Sequence, residues 1–372
     1  MQRHRKSIVV TTAVTALLGL AAIATTVFAQ APSTMRQYQF EPGESGYRLA
    51  MKEVAMPVAA RGEVLVRVHA TSLNRRDIYM LNDSYGDSGS AAGGVPLSDG
   101  AGEVVAVGEG VTRFQVGDRV AGTFFPLWVD GNPSAASLAY ARGGSDAGML
   151  SEYVVSPEDG LVLIPEHLSY EEAATLPCAA LTAWVGLFKR GGLVDDDFVL
   201  LEGTGGVSVF GLLLSSAAGA KPIITSSSDE KLSRARELGA IGTANYRSNP
   251  DWQREVMSMT GDHGVDQVLE VGGRDTLPKA LEALAYGGHI ALIGGLSGFA
   301  PDIPPGALMW KNATASGIYV GSRADFVAMN AFISEHQVRP VIDRVFEFEA
   351  AAEAFDYMDT GSFMGKIVIR VN

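Results

Sequence analysis

FVLLEGTGGVSVFGLLLSSAAGAKPIITSSS, residues Phe198 to Ser228, decides how this chain is read. Phe198 to Leu201 is a short apolar run of β-forming character. Gly203-Thr204-Gly205-Gly206 makes a turn, and Val207 to Ala218 is an Ala/Leu-rich run that predicts a helix. Pro222 to Thr225 predicts a second strand. Strand, glycine turn, helix, strand is the order in which a dinucleotide phosphate is held. Gly203 permits the tight turn, and Gly205 lets the backbone approach a pyrophosphate. The helix start supplies free N–H donors and the positive end of its dipole. Ser208 stands where the third glycine of G-x-G-x-x-G belongs. The plainer competing reading is a Gly-rich turn in an ordinary α/β domain.

The chain has 372 residues, enough for two globular domains or one large one. A net charge of −13 argues against nucleic acid or an anionic membrane as the main partner. Cys178 is the single cysteine, which excludes an intramolecular disulfide and a multi-cysteine zinc site.

Arg3, Arg5 and Lys6 precede an uncharged apolar run, Ile8 to Phe28, and Val27-Phe28-Ala29 has the small-x-small form of a signal-peptidase site. Residues 1–29 are therefore expected to be a secretory signal, giving an exported protein, periplasmic or secreted, with no membrane contact after cleavage. A retained membrane anchor is one alternative. Translation from Met35, giving a cytoplasmic protein, is another.

From Tyr38 to about Pro157 the pattern is short strands and turns. Glu63 to His69 alternates apolar and polar, and Gly102 to Gly108 and Arg119 to Gly122 add strands. Asp83 to Gly94 and Val129 to Gly148 predict loops that wall a cleft. Ser169 to Arg190 predicts a helix interrupted at Pro177, with Ser169 and Glu172 as a capping box. Beyond the glycine turn, helices are expected at Asp229–Leu238, Thr276–Ala285, Asp325–Glu335 and Glu349–Met358. Strands are expected at Val265–Val271, His289–Ile293, Ala313–Val320 and Lys366–Val371. Such alternation means a parallel sheet.

Several stretches together resemble the medium-chain dehydrogenase/reductase superfamily. They are Ser72 to Asp77 (SLNRRD), Asp99 to Gly108 (DGAGEVVAVG), Val116 to Val120 (VGDRV), Ala174 to Pro177 (ATLP), Gly203 to Val207, and Gly365 to Val368 (GKIV). The resemblance covers nearly all of Met35 to Asn372. It implies an α/β protein: a GroES-like β domain from residues 35–160 and 318–372, and an inserted Rossmann doubly wound parallel sheet from 161–317. The substrate would bind between them, and related enzymes are commonly homodimers. The zinc branch of the family holds its metal on a Cys, a His and a second Cys or Asp. Asn74 stands at that Cys position, Ser98 at that His position, and Cys178 at a ligand-like one. One soft ligand does not hold zinc, so no metal is expected. The chain is most similar to the quinone oxidoreductase and enoyl reductase branches.

What the resemblance implies for chemistry is hydride transfer from a reduced nicotinamide to a small-molecule quinone or α,β-unsaturated carbonyl. Such an acceptor needs a hydrogen-bond donor where negative charge develops. Asn74, Asp77 and Tyr79 match positions at the nicotinamide end of the pocket, Asp77 serving either chemistry or the loop. Thr182 matches a position beside the nicotinamide, and Gly294 to Leu296 ends a strand near it. Cofactor contacts are expected from Gly203, Thr204, Gly205, Gly206 and Val207. At the end of the second strand an NAD enzyme keeps an acidic residue, whereas this chain has Ser226. With Lys231 and Tyr246 nearby, NADP(H) is the expected cofactor. Two other functions stay open: an NADP-dependent alcohol dehydrogenase, and a non-catalytic NADPH-binding sensor or partner module.

Overall fold

Val199, Leu200 and Leu201 have no exposed surface, nor do Ile223 and Ile224. Continuous apolar runs buried on both faces are what a helix-covered parallel sheet requires. A computed structural model describes residues 33–85, 92–299 and 305–372, and places these runs at the centre of such a sheet. The expected signal segment, residues 1–29, lies outside the described residues.

In chain order the strands are β1 (Thr34–Pro42), β2 (Tyr47–Ala55), β3 (Glu63–Ser72), β4 (Asp99–Val107), β5 (Arg119–Gly122), β6 (Tyr153–Pro157) and β7 (Leu161–Leu163). They continue as β8 (Phe198–Leu201), β9 (Lys221–Ser226), β10 (Gly242–Asn245), β11 (Val265–Glu270), β12 (Leu284–Leu292), β13 (Thr314–Gly317), β14 (Ile342–Glu347) and β15 (Lys366–Arg370).

The parallel sheet runs β10-β9-β8-β11-β12-β13. Relative to β8 this is the order 3-2-1-4-5-6 of a doubly wound fold, which reverses between β8 and β11 and opens a crevice at their carboxyl ends. The helix Gly206–Ala217 follows β8 and carries the expected close packing in an unexpected place. A Cβ on Gly211 would come within 2.6 Å of Leu201 and 2.7 Å of Leu269. Gly211 thus lets the helix lie on β8 and β11, the task of the glycine that Ser208 replaces. Ser208 is buried and donates to the Glu202 carbonyl at 2.6 Å, closing the turn from inside.

The second sheet has seven strands, β14-β15-β3-β4-β5-β7 with β6 on β3. Its antiparallel core joins the two ends of the chain, with Val368 opposite Ser72 and Val66 opposite Val104. β1 and β2 form a separate hairpin. β7 pairs with β5 in this sheet, so the expected boundary at residue 160 detaches one short strand from its partners.

Three local expectations are corrected. The loop Val129–Gly148 contains a short helix, Ala135–Leu138, and it buries Arg142, whose Nη2 donates to Ser156 Oγ at 2.9 Å. The strand expected at Ala313–Val320 ends at Gly317, and Val320 sits at φ +60°, a strained conformation for a β-branched residue. The helix around Pro177 is α at Tyr170–Ala173 and Leu181–Trp184, with wider i→i+5 turns at Leu176–Ala180 and Val185–Arg190. Its capping box is present, with Glu172 N donating to Ser169 Oγ at 3.2 Å and Ser169 N to Glu172 Oε2 at 2.8 Å.

Candidate active site

The dinucleotide half is built on the turn after β8. Gly203 has φ +72°, which favours glycine, and nothing lies within 4 Å of a Cβ added to it or to Gly205. Both therefore border open space. Thr204 is buried, and Gly203 N donates to Thr225 Oγ1 at 3.2 Å, pinning the turn to β9. The helical ladder begins with Val209 N on the Gly205 carbonyl at 3.0 Å. The N–H groups of Gly206, Val207 and Ser208 precede it. Gly206 is packed from below: its Cβ would meet Lys366 Cδ at 2.9 Å and Ala179 Cβ at 3.1 Å.

Two buried carboxyl groups lie under the crevice. Glu202 Oε2 accepts from Val271 N and Gly272 N, each at 3.3 Å. Glu270 Oε1 accepts from Gly273 N at 2.6 Å and from Thr276 Oγ1 at 2.8 Å. Burial, with the neighbouring Glu270, drives the Glu202 carboxyl well above its ordinary range. Beside them, Ser297 N donates to Gly272 O and Arg274 N to Gly298 O, each at 2.8 Å. These bonds zip together the loops after β11 and β12. Gly294 and the exposed Leu296 belong to this floor, and Thr182 is buried in the segment Leu181–Trp184.

At the ribose end, Ser226 is buried at the tip of β9, and its Oγ accepts from Ser228 N at 3.3 Å. Ser228 Oγ caps the next helix, accepting from Lys231 N at 3.3 Å. Tyr246 is exposed, with its N–H on the Ser226 carbonyl at 3.1 Å. Lys231 departs from expectation. Its ammonium donates to Phe363 O at 2.8 Å and Gly361 O at 3.1 Å, so it ties the helix to the 361–363 turn and is not directed at a phosphate. The backbone carbonyls of that turn compete for the cation, which a sequence pattern does not show.

The acceptor half centres on Asn74, the residue before the helix Arg75–Leu81. Lys366 Nζ, almost fully buried, lies 2.6 Å from Asn74 Oδ1, 2.6 Å from Leu73 O and 3.4 Å from Asp99 Oδ2. Asp99 is completely buried, accepts from Ser98 Oγ at 2.7 Å and from Cys178 N at 3.3 Å. Asn74 Nδ2 faces Ser98 Oγ at 3.5 Å. Burial and the nearby Asp99 push the Cys178 thiol far up, so it stays protonated. Asp77 caps its own helix, with Oδ2 accepting from Asn74 N at 2.7 Å, while its Oδ1 has no partner among the described residues. Burial raises this carboxyl to about 6, and the adjacent Arg76 limits the rise.

Tyr79 is not drawn into this network. It lies 5.4 Å from the Arg75 guanidinium, which reaches Asp359 at 3.2 Å. The tyrosines that join the Arg76 side are Tyr85 and Tyr319. Arg76 stacks on Phe124 at 4.4 Å and Tyr85 at 5.4 Å, and Tyr319 packs edge-on to Phe125 at 4.9 Å. Burial raises the Tyr85 phenol.

Among the described residues no three His, Cys, Asp or Glu side chains gather to hold a metal ion. The Asn74, Ser98 and Cys178 positions provide one soft donor, and the Lys366 ammonium fills the space between Asn74 and Asp99. These residues do not fit zinc.

Residues 60–166 match the alcohol dehydrogenase GroES-like domain, and residues 206–335 match the zinc-binding dehydrogenase domain. A zinc-type alcohol dehydrogenase-like protein of Schizosaccharomyces pombe is 42% identical over 317 residues, covering 84% of this chain and 91% of that protein. The quinone oxidoreductase of Sus scrofa is 26% identical over 345 residues, covering 91% and 97%. The crystal structure of a putative alcohol dehydrogenase from Sinorhizobium meliloti superposes with a TM-score of 0.86 at 41% identity, covering 92% of this chain and all of that one.

Proposed function

The chain belongs to the medium-chain dehydrogenase/reductase superfamily, and from that premise we propose that it is an NADPH-dependent, zinc-independent reductase of quinones or α,β-unsaturated carbonyls. The observation that carries this reading is the Lys366–Asn74–Asp99 network. An ammonium and an amide stand together there, a donor set that supports chemistry without a Lewis acid.

When bound, the nicotinamide supplies the hydride. The chain's own part is to hold and polarise. Gly203, Gly205 and the start of the helix Gly206–Ala217 receive the pyrophosphate. The loops zipped at Gly272 and Ser297 support the nicotinamide half. Asn74, whose Oδ1 is taken by Lys366, has an N–H donor for the acceptor oxygen, where charge develops. The final proton comes from solvent.

NADPH is proposed over NADH because Ser226 ends β9 without a carboxylate, and Asp229 nearby is turned to Asn245 Nδ2 at 2.6 Å. A homodimer is proposed as well. β13 is the edge of the parallel sheet, and Trp310 and Met309 beside it are 77% and 65% exposed. Light scattering tests this. Export by the N-terminal segment is also a proposal, resting on residues 1–29 alone and tested by sequencing the mature N-terminus from fractionated cells.

The functional test is NADPH oxidation against a panel of small quinones and enones, with alcohol-dependent NADP⁺ reduction run beside it. Turnover of the first class is expected. Turnover of alcohols alone would favour an alcohol dehydrogenase, and tight NADPH binding with no turnover would favour a sensor.

A further inference from the structure

We propose that Lys366 is a positioning residue, holding the Asn74 carboxamide with its N–H side free for the acceptor and keeping a fixed positive charge behind it. This rests on the reading that Asn74 meets the acceptor oxygen.

An ammonium has three protons and no lone pair, so each neighbour within bonding range must accept. Three do: Leu73 O, Asn74 Oδ1 and Asp99 Oδ2. The two ends of the Asn74 amide are therefore not interchangeable. Flipping it would set an N–H against the ammonium and leave a buried donor unsatisfied. With the oxygen committed, Nδ2 is the end left to donate, and its only described partner, Ser98 Oγ, is at the long distance of 3.5 Å. Ser98 Oγ spends its own proton on Asp99 Oδ1 at 2.7 Å.

Lys366 has no proton left for the acceptor, so it acts through Asn74. A hydrogen bond from a charged donor at 2.6 Å polarises the amide and strengthens its N–H as a donor. The buried Asp99 carboxylate keeps the ammonium in place from the other side. The stem of the same side chain lies under the dinucleotide turn, with Cδ at 2.9 Å from a Cβ added to Gly206. The preceding residue, Gly365, donates its N–H to Thr204 O at 3.0 Å. One residue thus connects the pyrophosphate turn with the acceptor amide.

The test uses the full chain carrying Lys366→Met. Because that variant leaves Asp99 buried without its cation, Lys366→Met/Asp99→Asn is made beside it, separating loss of fold from loss of orientation. In the folded double variant we expect kcat to fall about 100-fold, the scale of losing one transition-state donor. The KM for the acceptor and the Kd for NADPH should stay within about threefold, the opposite split from a damaged binding site. A second readout needs no turnover. In protein labelled with ¹⁵N-asparagine, the Asn74 side-chain amide pair, assigned by its loss in Asn74→Leu, should shift and exchange faster with solvent in both lysine variants. A folded double variant with kcat within threefold of the parent, or with unmoved Asn74 amide resonances, would overturn the proposal. If the parent protein reduces no acceptor, the functional reading fails, and the amide resonances still decide the orientation.

Discussion

Gly365 donates its peptide N–H to the Thr204 carbonyl at 3.0 Å, so the chain entering β15 holds the turn that follows β8. The two residues are far apart in sequence and flank strands of different sheets. Their contact means that the turn proposed to receive the pyrophosphate is held by the protein's own backbone. Gly365 has φ +82°, and its Cβ would lie 2.3 Å from Val341 O, which explains a glycine here.

A preformed turn makes a clear prediction for Gly205. A side chain there meets nothing in the protein and its backbone is extended, with φ −79° and ψ −176°. Gly205→Val should therefore fold with a Tm close to that of the parent. The same side chain would fill the space meant for pyrophosphate, and NADPH affinity should drop by on the order of 100-fold. Thermal melts and nucleotide fluorescence titration check both halves.

Asp77 predicts a pH dependence. Its carboxyl rises from an ordinary 3.8 to about 6 in the fold, through burial. The folded state therefore binds the extra proton, and stability falls as pH rises from about 4 to about 6. Asp77→Asn keeps an acceptor for Asn74 N and removes the buried charge. Its Tm should exceed the parent's at pH 7.5, with the gap closing toward pH 4. At about 1.4 kcal/mol per pH unit the ceiling is about 3 kcal/mol. Melts across pH 4 to 8 measure it.

Much of this site was legible in the sequence, for reasons that differ by residue. The strand-turn-helix around Gly203 and Gly205 is local, because its chemistry lies within one short segment. The roles of Ser228 and Asp77 as caps are local too. Lys366 stood inside the motif GKIV, but its partnership with Asn74 spans 292 positions and has no spacing to betray it. Gly211 doing the work of a missing glycine one turn earlier needs the register of the helix on β8. Tyr79 drew attention because it matches a family position at the nicotinamide end of the pocket, yet its ring lies beside the Arg75 guanidinium.

Glu202 and Glu270 predict a second pH effect. Burial beside Glu270 raises the Glu202 carboxyl, so stability must decline as pH rises above the ordinary carboxylate range. In Glu202→Gln the amide oxygen still accepts from Val271 N and Gly272 N, and its nitrogen donates toward Glu270. The variant should melt at or above the parent temperature at neutral pH, with the advantage shrinking as pH falls into the ordinary carboxylate range. A gap that stays constant down to that range would mean burial does not raise the Glu202 carboxyl.

Ser226 predicts the cofactor preference. Ser226→Asp places a carboxylate at the tip of β9, where it repels a 2′-phosphate and accepts from ribose hydroxyls. The ratio of kcat/KM for NADPH to that for NADH should fall by on the order of 100-fold, in keeping with a like-charge penalty of several kcal/mol. An unchanged ratio would locate the phosphate elsewhere.

The central claim is that hydride reaches the acceptor in a site polarised by Lys366 and Asn74, with no metal ion taking part. Its most direct measurement is single turnover of NADPH deuterated at the transferring C4 position with a reducible enone, using protein stripped by a strong chelator. The account predicts deuterium on carbon in the product at a rate within about twofold of untreated protein. A rate that falls to background and returns on adding zinc would contradict it.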